Sequence, residues 1–81
     1  MTGETIRSKR VAARIPGHIL CRAADLSRTR LSGIEGGYLT VAPEELAKIA
    51  AALDRLIDTK HRLAQIAVAL GWPTGVDVVP R

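Results

Sequence analysis

The chain predicts an all-α protein, a compact set of short helices leading into one long helix. Three observations predict it. Apolar residues recur at helical spacing through Ile15, Ile19, Leu20, Ala23 and Ala24, and again at Leu31 and Ile34, the pattern of helices with one buried face. From Glu44 to Leu70 there is neither Gly nor Pro, while Ile49, Leu56, Leu63 and Leu70 repeat at intervals of seven. The composition is 47% hydrophobic but only 2% aromatic, with no Phe, so the core is built from Ala, Leu, Ile and Val, which suits closely packed short helices. At 81 residues the chain has room for one domain. A domain of this size buries only about 60% of its unfolded surface, which favours a partner subunit.

Taken in order, Thr2 to Glu4 read as a loose lead-in, and Ile6 to Arg14 as a first helix. Ile6, Arg10 and Ala13 share one stripe of it, with Arg7, Lys9 and Arg14 outside. Pro16 suits the first turn of the next helix, where its missing N–H costs nothing. That helix turns His18 and Arg22 outward and Cys21 inward. Asp25 stands where the chain must turn, and Leu26 is an apolar plug. Ser27 is placed to cap a third helix through Ile34. On that helix Leu31 and Ile34 face inward, whereas Arg28, Thr29, Ser32 and Gly33 fall on the other side. Gly36-Gly37 stop it, since glycine readily takes the left-handed conformation of a helix end.

Tyr38 to Ala42 read as a loop, and Pro43, Glu44 and Glu45 open the last helix with acids near its positive end. Two readings of residues 44–70 stay open. One continuous helix would run about 40 Å, longer than a domain of this size covers; a break near Asp58-Thr59 would give two helices of ordinary length. The weight falls on the continuous helix. Gly71 ends it, Trp72 can fold back on Ala67 or Leu70, and Val76, Val78 and Val79 can pair as a strand. The division that results is a helix-turn-helix domain over residues 1–57 and a C-terminal extension with a short tail over 58–81.

Charge is unevenly spread. Seven basic residues stand against two acidic ones through Leu31, and five against six beyond it. That asymmetry favours a polyanion partner, because phosphate neutralisation supplies most non-specific affinity for nucleic acid; the bland alternative is a solvated charged surface. A polar helix face of this kind can lie in a DNA major groove and reach base edges. The lone Cys21 excludes an internal disulfide and points to a reducing, cytoplasmic compartment. No apolar run approaches the length of a membrane span, and MTGETIRSKR lacks the apolar core of a secretion signal. His18 and His61 lie in different elements without a ligand set, so neither a metal nor a cofactor is expected. No nucleophile–base set or carboxylate pair supports catalysis, and no small-molecule ligand is evident.

With those residues in view, the chain resembles the Cro/repressor-like (XRE) helix-turn-helix family over Ile6 to Leu53. Leu20, Cys21, Leu26, Ser27, Leu31, Ser32, Ile34, Glu35 and Gly37 carry the resemblance, together with the run Pro-Glu-Glu-Leu-Ala-Lys-Ile-Ala from Pro43. It implies a lambda-repressor-like bundle of four or five helices, here with an extended C-terminal helix. It also implies a structural ion pair between Arg10 and Glu35 and close packing of two helices at Cys21. Base reading would fall to Arg28, Thr29 and Gly33, and phosphate approach to Gly17 and Gly36. Two departures bear on this. Asp25 stands in place of the usual turn glycine. Gly33 brings no side chain to its base-reading position, which shifts the burden to Arg28, Thr29 and Arg30, with Ser32 beside them.

Around that face, Arg7, Arg14, His18, Tyr38 and Thr40 are candidate phosphate contacts. His18 reads equally as a surface residue, and Tyr38 equally as a cover for its loop. The expected function is that of a sequence-specific double-stranded DNA-binding transcriptional regulator, a repressor acting as a homodimer on an inverted repeat. Leu56, Leu63, Ile66 and Leu70 form the expected dimer interface, with Lys60 on its seam. The alternative is a protein-interaction module, or antitoxin-like partner, that keeps the fold and binds through the long helix or the tail.

Overall fold

Each helix boundary traces to a residue that ends or begins it. In the computed structural model, which describes residues 2–71, the Thr2 hydroxyl accepts the Thr5 amide at 3.2 Å and starts α1 (Gly3–Ala12). The helix thus begins three residues before the expected Ile6 and ends before Arg14. Arg14 and Asp25 are the non-glycine residues with positive φ, at 57° and 56°. Behind Arg14, Ile15 donates to the Arg10 carbonyl and Arg14 to that of Val11, a Schellman-type end with Arg in the position glycine usually takes. Pro16 is the N-cap of α2 (Gly17–Ala24), and Asp25 closes that helix in the left-handed region, as expected of the turn. Asp is one of the few non-glycine residues that adopts this conformation routinely.

Ser27 caps α3 (Arg28–Glu35), its hydroxyl accepting the Arg30 amide at 3.1 Å. Gly37, at φ 79°, reverses the chain after it. Pro43 occupies the first turn of α4 (Pro43–Ala69), which is a single unbroken helix of 27 residues. Thr59 does not cap a new start; its hydroxyl bonds back to the Arg55 carbonyl at 2.8 Å within the helix. Gly71, at φ 73°, stands at its end. Among the described residues the protein is all-helical, four helices and no strand. The expectations for Trp72 and for a strand through Val76, Val78 and Val79 lie outside the described residues.

The core is small and aliphatic. Ile6, Leu20, Ile49 and Leu53 are enclosed almost completely, one each from α1 and α2 and two from α4, with Leu31 and Ile34 joining from α3. Cys21 is buried among them, as predicted, whereas Ala23 is exposed. Burial pushes the Cys21 thiol pKa up, which keeps it protonated and suits a packing role.

Three features depart from expectation. The lead-in is a packing element: a Cβ on Gly3 would stand 1.9 Å from the Ile34 carbonyl oxygen, so only glycine lets α1 approach α3 this closely. Leu56 is half-buried against the protein's own core and does not belong to an open stripe. Lys60, expected on a dimer seam, reaches 2.8 Å from the Ala13 carbonyl and 3.5 Å from that of Arg14. An ammonium at a helix C-terminus satisfies orphan carbonyls and complements the dipole. Lys60 is also the last α4 residue with a hydrogen bond to another element among those described, and α4 runs unbroken past the 57/58 boundary. Beyond it Leu63, Ile66, Val68 and Leu70 are exposed, and the molecule measures 45 × 19 × 19 Å.

Gly3→Ala forces α1 or the end of α3 to shift, at a cost of about 1–3 kcal/mol. Thermal denaturation followed by circular dichroism should show a clearly lower Tm. Asp25→Gly should move it the other way, by up to about 1 kcal/mol, because glycine bears no Cβ penalty at positive φ.

Candidate nucleic-acid interface

The site is built from the inside outward, beginning with a buried ion pair. Arg10 Nε lies 2.8 Å from Glu35 Oε2, and its Nη2 lies 3.0 Å from Glu35 Oε1. The remaining terminal nitrogen, Nη1, donates to the Ile15 carbonyl at 2.9 Å. One guanidinium therefore ties α1 to the end of α3 and to the turn leading into α2. The side chains are only 16% and 8% exposed, so water screens the pair little. The Glu35 hydrogen bond raises the Arg10 pKa against the opposing effect of burial. This is the pairing that the family resemblance implied.

Above that pair opens a cleft of about 580 Å³ whose lining includes Arg7, Gly17, Arg28, Ser32, Gly36 and Tyr38, with Arg10, Cys21, Leu31 and Glu35 beneath. Arg28 and Ser32, four residues apart, lie on the flank of α3 that faces the cleft. No side chain caps α2, so its first amides, including that of Gly17, keep their donors free of a side-chain partner at the positive end of the helix. Tyr38 is 87% exposed, with its ring against Gly36, where a Cβ would come within 2.7 Å of the ring edge. Arg7 and Arg28 have no ion-pair partner among the described residues.

The other candidates stand apart from this cleft. Thr29 is exposed at the centre of the outer face of α3. His18 is exposed in the first turn of α2, Arg14 in the α1–α2 turn and Thr40 in the loop before α4. Gly33 is half-buried beneath Leu39: a Cβ there would stand 2.6 Å from Leu39 Cδ1. Its lack of a side chain makes room for the loop. Arg30 is engaged in a fork-to-fork pair with Glu45 of α4, at 2.9 and 2.7 Å. Sequence reasoning missed both Leu39 and Glu45. The signal for Glu45 was its register in the first turn of α4; nothing local pointed to Leu39.

Among the described residues no group of His, Cys, Asp and Glu converges as metal ligands, and no helix is long and apolar enough to cross a membrane. Comparisons with protein-family models, curated proteins and solved structures found no match.

Arg10→Met leaves Glu35 buried and unpaired, which should cost about 3–5 kcal/mol. Replacing both partners, Arg10→Met with Glu35→Leu, should recover most of that loss, because the penalty lies in the orphaned charge. Chemical denaturation of the single and double variants measures the difference.

Proposed function

We propose that this protein is a sequence-specific double-stranded DNA-binding transcriptional regulator of the Cro/repressor-like helix-turn-helix type, a cytoplasmic, non-catalytic repressor acting as a homodimer on an inverted-repeat operator. One observation carries the reading. Two guanidinium groups without an ion-pair partner among the described residues, Arg7 and Arg28, meet Ser32, Tyr38 and the amide end of α2 on one cleft, while Arg10 is committed to holding the cleft's walls together. Cations, hydroxyls and free amides lining one cleft match what a phosphate backbone asks of a protein, and an exposed α3 face beside them matches what base edges ask.

On this reading Arg28 and Thr29 read bases, with Ser32 adjacent. Arg7, Tyr38 and the Gly17 and Gly36 backbone approach phosphate, with Arg14, His18 and Thr40 at the rim. Arg28 can donate bidentately to guanine O6 and N7, which discriminates by about 1–3 kcal/mol.

The homodimer rests on α4. Its core-facing stripe packs on the domain at Ile49, Leu53 and Leu56 and then continues into Leu63, Ile66 and Leu70, which project past the other helices and are 40%, 55% and 78% exposed. A second copy would bury them at about 1.5–3 kcal/mol for each fully covered side chain. A symmetric pair would present two α3 helices to an inverted repeat.

Fluorescence anisotropy on a duplex selected from a random pool tests the base-reading role. Arg28→Ala should lose about 5–150-fold on the selected duplex, by the same magnitude of discrimination, and much less on a scrambled one. Equal losses on both would make Arg28 a phosphate contact only. For the dimer, Leu63→Lys with Ile66→Lys should sediment as a folded monomer with weakened operator binding. A variant that stays dimeric would place the interface elsewhere.

A further inference from the structure

We propose that Glu45 is a specificity-determining residue that competes with DNA phosphate for Arg30, holding one cation of the α3 face back from sequence-independent binding. The inference rests on the DNA-binding reading above and assigns regulation to that same surface. Arg28 and Arg30 lie on opposite flanks of α3, with Thr29 between them. Arg28 faces the cleft without an ion-pair partner among the described residues, whereas Arg30 Nε and Nη2 lie 2.9 and 2.7 Å from the two carboxylate oxygens of Glu45. The pair joins the first turn of α3 to the first turn of α4.

Geometry and exposure together make this pair a competitor and not a fixed strut. A guanidinium offers its planar fork to carboxylate or phosphate equally well, so Glu45 occupies the donors a phosphate would use. The side chains of Arg30 and Glu45 are 45% and 29% exposed. The buried Arg10–Glu35 pair, at 16% and 8%, is closed to such exchange. Exposed pairs are weak enough to open when a better anion arrives. A carboxylate bound this way penalises any approach of DNA that does not repay the exchange, and non-specific complexes, held mainly by phosphate contacts, feel the penalty most. At the correct site, base contacts from Arg28 and Thr29 hold the duplex close enough for phosphate to displace Glu45.

The test uses the full chain and two probes, a scrambled duplex and the duplex selected by the wild-type protein, each titrated across salt. Glu45→Gln should tighten binding to scrambled DNA about 3–5-fold, the scale of an exposed bidentate pair. It should also steepen the log K against log [salt] slope by about 0.9, the signature of one further phosphate contact. Discrimination between selected and scrambled duplex should fall. The double variant Arg30→Gln with Glu45→Gln, which keeps the neutral sum of the pair but lacks the guanidinium, should return scrambled-duplex affinity to near wild type.

Any one of these results overturns the proposal. If the double variant keeps the tighter binding, Glu45 acts only as a negative charge near DNA. If the wild-type chain and Glu45→Gln both fail to bind either duplex at low salt, the DNA-binding reading fails and takes this inference with it. Binding by the wild type with no change in Glu45→Gln overturns the inference alone.

Discussion

The structure depends on the bidentate pair between Arg10 and Glu35. Its guanidinium spans three pieces of chain: α1, from which it comes, the C-terminal end of α3, and the Ile15 carbonyl at the entrance to α2. A buried carboxylate and a buried guanidinium are each costly alone. The fold accepts both because each of the three guanidinium nitrogens and both carboxylate oxygens has a partner, and no buried side-chain polar atom is left unpaired among the described residues. The consequence reaches the surface. Arg28, Ser32 and Tyr38 belong to α3 and the loop after it, Gly17 to α2 and Arg7 to α1, so the ion pair sets the relative placement of every element that lines the cleft.

The cationic groups of this protein sort by what holds them. Arg10 is buried and saturated. Lys60 is half-buried and closes the carbonyl end of α1, while Lys9 pairs with Asp54 on α4. Arg30 is exposed and held by a carboxylate that another anion can displace. Arg7 and Arg28 line the cleft with no ion-pair partner among the described residues. A positive net charge alone says little about a partner; the positions of the uncommitted charges say more. Arg7 and Arg28 share the cleft where α2 begins and α3 presents its polar flank, whereas Arg14, Arg22, Lys48 and Arg55, likewise without an ion-pair partner among the described residues, lie outside it.

Features that depend on one residue and its neighbours in sequence were legible from the sequence. The left-handed Asp25, the Ser27 cap, the Gly37 reversal and the opening of α4 at Pro43 each follow from one side chain, or its absence, acting on adjacent backbone. The unbroken α4 followed from the lack of Gly and Pro, with Thr59 absorbed by a bond to Arg55. Features that depend on distant chain were not legible. Gly3 looked like a frayed start because its reason for being glycine is Ile34, and Gly33 looked like a missing base contact because its neighbour is Leu39. Leu56 and Lys60 sit in the heptad stripe, but the stripe does not say where the globule ends. Among the described residues, Lys60 is the last α4 residue with a hydrogen bond to another element. Arg30 enters the expected reading set only to make up for the side chain Gly33 lacks, and that reasoning carries no information about a carboxylate on the next helix.

On the proposed reading, the cleft face of α2 and α3 receives duplex DNA while the far end of α4 does not. Amide chemical-shift mapping by NMR during titration with a duplex at low salt measures this directly. The largest perturbations should fall on Arg7, Gly17, His18, Arg28, Thr29, Ser32, Gly36 and Tyr38, with residues 61–70 nearly unchanged. Perturbations centred on Leu63, Ile66 and Leu70, or a spectrum that ignores DNA at low salt, would contradict the account.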